Sequence, residues 1–229
     1  MILFGRYARL AEPSGLSAHH AMRLKKAAQE VSDRVANDSR FFEASLPERN
    51  TKMSIDALRD LIPAYGKDIS LNLSSLANET VLNDQQKWGC FLASAHAIGV
   101  APVVKLIEAQ AATVLSPEAM TAAKAAAAIM GMNNIYYRSL HLMKNPEYTT
   151  LPAKLRMNII ANPGVEKLDF ELWSTAVSAI NGCGACLDAH EGELRKHAVP
   201  ALQIQAALRI GAVVHAASRI VASETALTA

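Results

Sequence analysis

The chain has 229 residues, 51% of them hydrophobic but only 5% aromatic, and a formal net charge of +2. That length supports one large domain or two small ones with a real core, and a mixture dominated by Ala, Leu and Ile favours close-packed helices over a sandwich or barrel. The small charge, with no basic stripe interleaved with aromatics, argues against a nucleic-acid binder, and the longest uncharged run, Trp88 to Val104, falls short of a membrane span.

Residues 1–52 read as a peripheral N-terminal extension, with nine Lys/Arg against six Asp/Glu and loop-like flanks such as "ASLPERNTK". Acidic residues count against an organelle-targeting role, and no basic stretch leads into an apolar signal core. Three cysteines cannot form a disulfide framework, so the expected setting is a reducing compartment, the cytoplasm.

Residues 53–229 read as a succession of helices, and the predicted fold class is all-α. Ser54 is positioned to cap "IDALRDLI", and Pro63 marks a break. "DISLNLSSL" alternates Ile69, Leu71 and Leu73, but its short length and helical neighbours predict a helix. Asp84 opens a helix that closes at Gly99. Ser116-Pro117-Glu118 pairs a cap with proline at the first helical position, starting an Ala-rich helix that runs into "MNNIYYR". After the "KNPEYTTLP" loop, "AKLRMNII" is predicted helical. Then "LDFELWSTAVSAI" stops at Asn181-Gly182, a cysteine-bearing helix covers about 183–197, and a last helix starts at Pro200.

A faint internal repeat runs through this region. Trp88 and Trp173 each precede a small-residue helix, an intervening helix and a proline that opens an Ala-rich helix. The Trp-to-Pro intervals are 29 and 27 residues. Ile98 and Ala101 occupy the positions of Cys183 and Cys186 in the first copy, which therefore lacks the pair.

The chemistry concentrates in "NGCGACLDAH". Cys183 follows the Asn181-Gly182 stop, and Cys186 falls in the first turn of the next helix, where unpaired N–H groups and the macrodipole favour a thiolate. Cys183, Cys186 and His190 follow an i, i+3, i+7 pattern and share one helix face, with His190 close enough to exchange a proton with Cys186 directly or through one water. If the helices flanking Gly182 are antiparallel, Glu171 lies eleven residues before the turn and His190 eight after, an axial offset of about 4–5 Å. Glu171 could then orient His190.

The triplet reads as a redox couple, a metal site or inert packing. Zinc needs a fourth ligand, and Cys90 and His96 are too distant in sequence to infer as one. Leu187 occupies the place where c-type haem attachment requires histidine. Asp188 and Glu191 read as solvated, His96, His141 and His215 as satisfied core or edge residues, and Cys90 as a small core hydrophobe.

Together these residues resemble the alkyl hydroperoxide reductase AhpD family of the carboxymuconolactone decarboxylase-like superfamily. The likeness covers Met53 to Ala229, including "MSIDALRDLIPAYGKDISLNLSSL", "MNNIYYR" and "FELWSTAVSAINGC…CLDAHE". It implies an all-helical, internally duplicated protein, commonly a homotrimer. It implies a lipoyl-dependent peroxidase with no bound cofactor, whose Cys183–Cys186 disulfide is re-reduced by dihydrolipoyl groups on a lipoylated 2-oxoacid dehydrogenase acyltransferase. The dithiol would then reduce an AhpC-type peroxiredoxin and, weakly, alkyl hydroperoxides. By the same resemblance Cys186 is the reactive cysteine, Cys183 its proton-donating and disulfide-forming partner, and Glu171 and His190 the proton relay. The best-known members carry histidine just before the second cysteine, where this chain has Ala185. Two rival functions are a carboxymuconolactone decarboxylase-like lyase, whose chemistry needs no vicinal thiols, and a non-enzymatic redox-gated interaction module.

Overall fold

Helix boundaries fall largely where local signals predict them. The structure is a computed structural model that describes residues 54–228. These belong to a unit that begins at Lys52, and the expected extension over residues 1–52 lies outside the described residues. No strand occurs among the described residues.

Helix α1 (Ser54–Asp60) and a 3-10 turn (Ala64–Gly66) lead into α2 (Lys67–Ala77). The alternating apolar stretch in α2 is indeed helical, burying Leu73 and Leu76. Helix α3 (Asp84–Ile98) opens with a capping box: the Asn83 side chain accepts from the Gln86 N–H, and the Gln86 side chain accepts from the Asn83 N–H. It closes at Gly99, whose φ of 79° suits glycine. Helix α4 (Ala101–Ala111) follows. Helix α5 (Pro117–Leu142) starts where the Ser116 hydroxyl accepts from the Ala119 N–H at 3.1 Å.

Residues 143–166 depart from expectation. "AKLRMNII" is helical only in its last residues, in the single turn α7 (Asn158–Ala161), and another single turn, α6 (Glu147–Thr150), interrupts the preceding loop. Lys154 adopts a left-handed φ of 51°, so a right-handed helix does not run through it. The regular pattern resumes with α8 (Lys167–Ile180), α9 (Gly184–Lys196) and α10 (Ala201–Thr228).

The two stretches that share the Trp-to-Pro pattern fold as α3–α4–α5 and α8–α9–α10. Helices α3 and α8 pack on each other at the centre, and each also packs against both α5 and α10. The central pair approaches closely. Gly89 of α3 lies against the indole of Trp173, leaving no room for a Cβ, and the indole N–H donates to the Gln86 carbonyl at 3.2 Å. Helix α10 is long and apolar enough to cross a membrane by length and composition. Half of its most apolar window is buried within the fold, where Ile204, Ile210, Val214 and Val221 join the core.

Candidate functional site

The site is organised by the way α8 ends. The Cys183 N–H donates to the Ser178 carbonyl and the Gly182 N–H to the Ala179 carbonyl, both at 3.1 Å, the two bonds of a Schellman stop. Gly182 takes the left-handed conformation this stop requires, with φ of 66°. Within two residues the chain reverses and Cys183 becomes the N-cap of α9. Its sulfur accepts from the Cys186 N–H at 3.3 Å. The two cysteines, with Cα atoms 5.3 Å apart, are joined as a disulfide.

Helix α5 fastens this turn from the side. Arg138 donates to the Asn181 carbonyl, the Asn181 amide donates to Asn134 Oδ1 at 2.9 Å, and the Asn134 amide donates to the Ser178 hydroxyl at 2.9 Å. Asn134 is fully buried, so these bonds satisfy an amide that would be costly to leave unpaired. Sequence reasoning gave Asn134, Arg138 and Ser178 no role, and read Asn181 only as part of the helix stop. The available signal was a pair of asparagines, Asn133 and Asn134, in an otherwise Ala-rich helix.

The offset inferred for the α8–α9 hairpin is realised. His190 Nδ1 lies 2.6 Å from Glu171 Oε2, with the residues 9% and 4% exposed. A short hydrogen bond between two buried side chains holds the imidazole in one orientation. At the solvent edge of the same hairpin, Lys167 donates to Glu193 at 2.8 Å, which raises the lysine's pKa and lowers the carboxyl's.

Of the two routes expected between His190 and Cys186, direct or through one water, the structure shows no direct contact. His190 Nε2 instead meets the thioether of Met130 at 3.3 Å, and the polar neighbour of Cys186 Sγ is the Asn133 carbonyl at 4.0 Å. The reason is packing: α5 lies against α9 and places Met130 at the imidazole's far edge. His190 and Cys186 meet across a cavity of about 330 Å³. Met130, Tyr137 and His141 from α5, with Met157 and Ile160 from the irregular segment, give that cavity a mainly apolar wall. Cys186 lines it and Cys183, fully buried, does not. Cys186 is therefore the sulfur that a molecule in the cavity reaches.

His141, expected to be a satisfied core or edge residue, is exposed and lines this cavity from the last turn of α5. His96 pairs with Glu108 at 3.4 Å, and His215 is exposed on α10. Asp188 and Glu191 are exposed. Cys90 is wholly buried, and desolvation, aided by the Asp169 charge, pushes its thiol pKa well above the ordinary value. Among the described residues no group of three or more His, Cys, Asp or Glu is arranged to hold a metal ion.

Fold and site together define a class: all-helical proteins that carry a disulfide at a helix start beside a buried carboxylate–histidine pair. Comparison with known proteins agrees. Residues 146–229 match the carboxymuconolactone decarboxylase family. The chain is 68% identical over 177 residues to "Alkyl hydroperoxide reductase AhpD" of Hyphomonas neptunium, covering 77% of this chain and 98% of that protein. It is 65% identical over 173 residues to the protein of the same name from Maricaulis maris, covering 76% and 100%. For the one from Bradyrhizobium sp. the figures are 58% over 162 residues, covering 71% and 90%. The chain belongs to the AhpD family.

Proposed function

We propose that this protein is a thiol–disulfide oxidoreductase with peroxidase activity, an alkyl hydroperoxide reductase of the lipoyl-dependent kind. The observation that carries the reading is the placement of the Cys183–Cys186 disulfide. It sits at the start of α9, only Cys186 opens onto the apolar cavity, and His190 lines the same cavity.

In the reduced protein the N-terminal dipole of α9 and its free N–H groups favour the Cys186 thiolate. The thiolate attacks the distal oxygen of a hydroperoxide, forming a sulfenic acid and releasing an alkoxide that leaves as alcohol after taking one proton. The Cys183 thiol then attacks the sulfenic sulfur, forming the disulfide and releasing water. Glu171 and His190 act as the proton relay across the cavity. A dihydrolipoyl group returns the two electrons by thiol–disulfide exchange and becomes a cyclic disulfide itself. Electrons thus arrive on a diffusing or tethered dithiol, and no bound cofactor is required.

The apolar wall formed by Tyr137, Met157 and Ile160 suits a thin hydrocarbon arm ending in sulfur, such as a lipoyl arm on a 2-oxoacid dehydrogenase acyltransferase. An AhpC-type peroxiredoxin is the electron acceptor proposed, with the cytoplasm as the compartment. Homotrimer assembly belongs to the same reading. Exposed Ile135, Met143, Tyr148 and Leu151 form an apolar strip of the kind that contacts between protomers bury.

The test is peroxide consumption driven by dihydrolipoamide. Cys186→Ser abolishes it, while Cys183→Ser blocks the internal disulfide and leaves a sulfur able to trap a partner. Full turnover in either variant sinks the mechanism. A lyase would keep its activity without the thiol pair, and a redox-gated module would not turn over.

A further inference from the structure

We infer that Met130 is a positioning residue that sets how many protons the Glu171–His190 pair holds. The inference rests on the relay role proposed above for that pair and adds a residue to it.

Both ring nitrogens of His190 are engaged. Nδ1 lies 2.6 Å from Glu171 Oε2, and Nε2 lies 3.3 Å from Met130 Sδ. A thioether sulfur has lone pairs and no hydrogen, so it can only accept. A second donor, the Asn134 amide, also approaches this sulfur, at 4.0 Å. A bare ring nitrogen facing the sulfur would set lone pair against lone pair, so the short contact is attractive only when Nε2 carries hydrogen. The Nδ1–Oε2 bond needs a proton of its own. Two protons therefore reside on the pair, and its net charge is zero whether the shared one sits on nitrogen or oxygen. Met130 is 1% exposed, so its sulfur is held against the imidazole by the surrounding packing.

Other charged or titratable groups lie around the imidazole. Lys167 faces it from α8 beside Glu171, Cys186 and Glu193 from α9, and Tyr137 and His141 from α5. Met157 and Ile160, from the segment over the cavity, carry no titrating group. Lys167 and Glu193 bond to each other, and the Tyr137 hydroxyl approaches the Met157 sulfur at 3.9 Å. The acceptor that Nε2 meets is the Met130 sulfur.

The consequence is a loaded relay. Sulfur is a weak acceptor, so it orients the Nε2 proton without drawing it away. That proton stays available for the alkoxide released when Cys186 is oxidised, or for the thiolate released when the disulfide is reduced.

Imidazole 15N and 1H NMR of the oxidised protein reads the proton directly, with no dependence on turnover. The wild type at pH 7 is expected to show Nε2 protonated, with a slowly exchanging hydrogen. Met130→Leu keeps volume and apolarity but removes the acceptor. Its Nε2 hydrogen should exchange about 10-fold faster or disappear, and turnover should fall about 10-fold, the scale of one lost hydrogen bond. Met130→Gln restores an acceptor on a side chain of similar length and should recover both to within about 3-fold. A bare Nε2 in the wild type overturns the inference and leaves the peroxidase reading standing, because that reading depends on Cys186→Ser being inactive. Unchanged turnover in a folded Met130→Leu protein, or equal losses in the Leu and Gln variants, overturns the positioning role.

Discussion

Removing either partner of the Glu171–His190 bond should produce unequal losses of stability and a rescue that reverses the usual sign. His190→Phe leaves the Glu171 carboxylate, 4% exposed, without the imidazole that engages it at 2.6 Å. Stranding a buried charge this way costs about 3–5 kcal/mol. Lys167 lies one turn earlier on α8. Its pKa is raised chiefly by its bond to Glu193 and also by the Glu171 charge, so its ammonium already feels that carboxylate. That places the expected loss toward the lower end, about 3 kcal/mol. Glu171→Gln keeps the shape and an oxygen to accept from Nδ1 but loses the charge, so the cost is about 1–2 kcal/mol, the difference between a charge-assisted and a neutral bond. The double variant removes the stranded charge and should be about 1–2 kcal/mol more stable than His190→Phe alone. Turnover should fall about 10- to 10⁴-fold in each single variant and little further in the double, because the two groups act as one unit. Urea unfolding of the disulfide-intact proteins gives the stabilities, and dihydrolipoamide-driven peroxide consumption gives the rates. A His190→Phe protein as stable as wild type, or losses of turnover that multiply, would refute the reasoning.

Gly89→Ala drives a methyl into the Trp173 indole and should cost about 1–3 kcal/mol in urea unfolding, with Cys183–Cys186 pairing unaffected once folded. The buried Cys90 stays a thiol, since desolvation raises its pKa, so the oxidised folded protein should not alkylate at pH 8; prompt labelling of Cys90 would contradict its burial. Ala185→His places an imidazole on the cavity wall next to Cys186, so the reduced variant should alkylate faster than wild type below pH 7; superimposable rate–pH profiles would mean that position 185 does not communicate with the thiolate. Deleting residues 1–52 should leave activity and melting temperature unchanged, as expected of a peripheral extension, and a substantial drop in either would refute that assignment.

The features legible in the sequence are those governed by local geometry. Ser116 caps α5 because its side-chain oxygen reaches a backbone N–H three residues on, and α3 opens at Asp84 as read. The Asn181-Gly182 stop and the spacing of Cys183 and Cys186 place both sulfurs at the start of α9. The Glu171–His190 pairing was legible for the same reason: a tight turn between antiparallel helices makes residue counting a ruler, with a rise of about 1.5 Å per residue. Composition and periodicity likewise point to the all-helical class.

Everything that reaches the site from α5 and the segment after it depends on tertiary packing. Met130 is 60 residues from His190 and Asn134 is 44 from Ser178, and no spacing rule spans such distances. Which face of α5 meets α8 and α9 depends on how the side chains of all three pack, and that choice put the Met130 thioether against the His190 imidazole. The left-handed backbone at Lys154 interrupts the predicted helix and leaves the irregular wall that carries Met157 and Ile160. His141 reads as an edge residue on an apolar helix, and only the docking of that wall makes it part of a cavity lining. Helical periodicity specifies distances within an element and across a short turn, whereas the cavity is made of surfaces that meet only when separate elements dock.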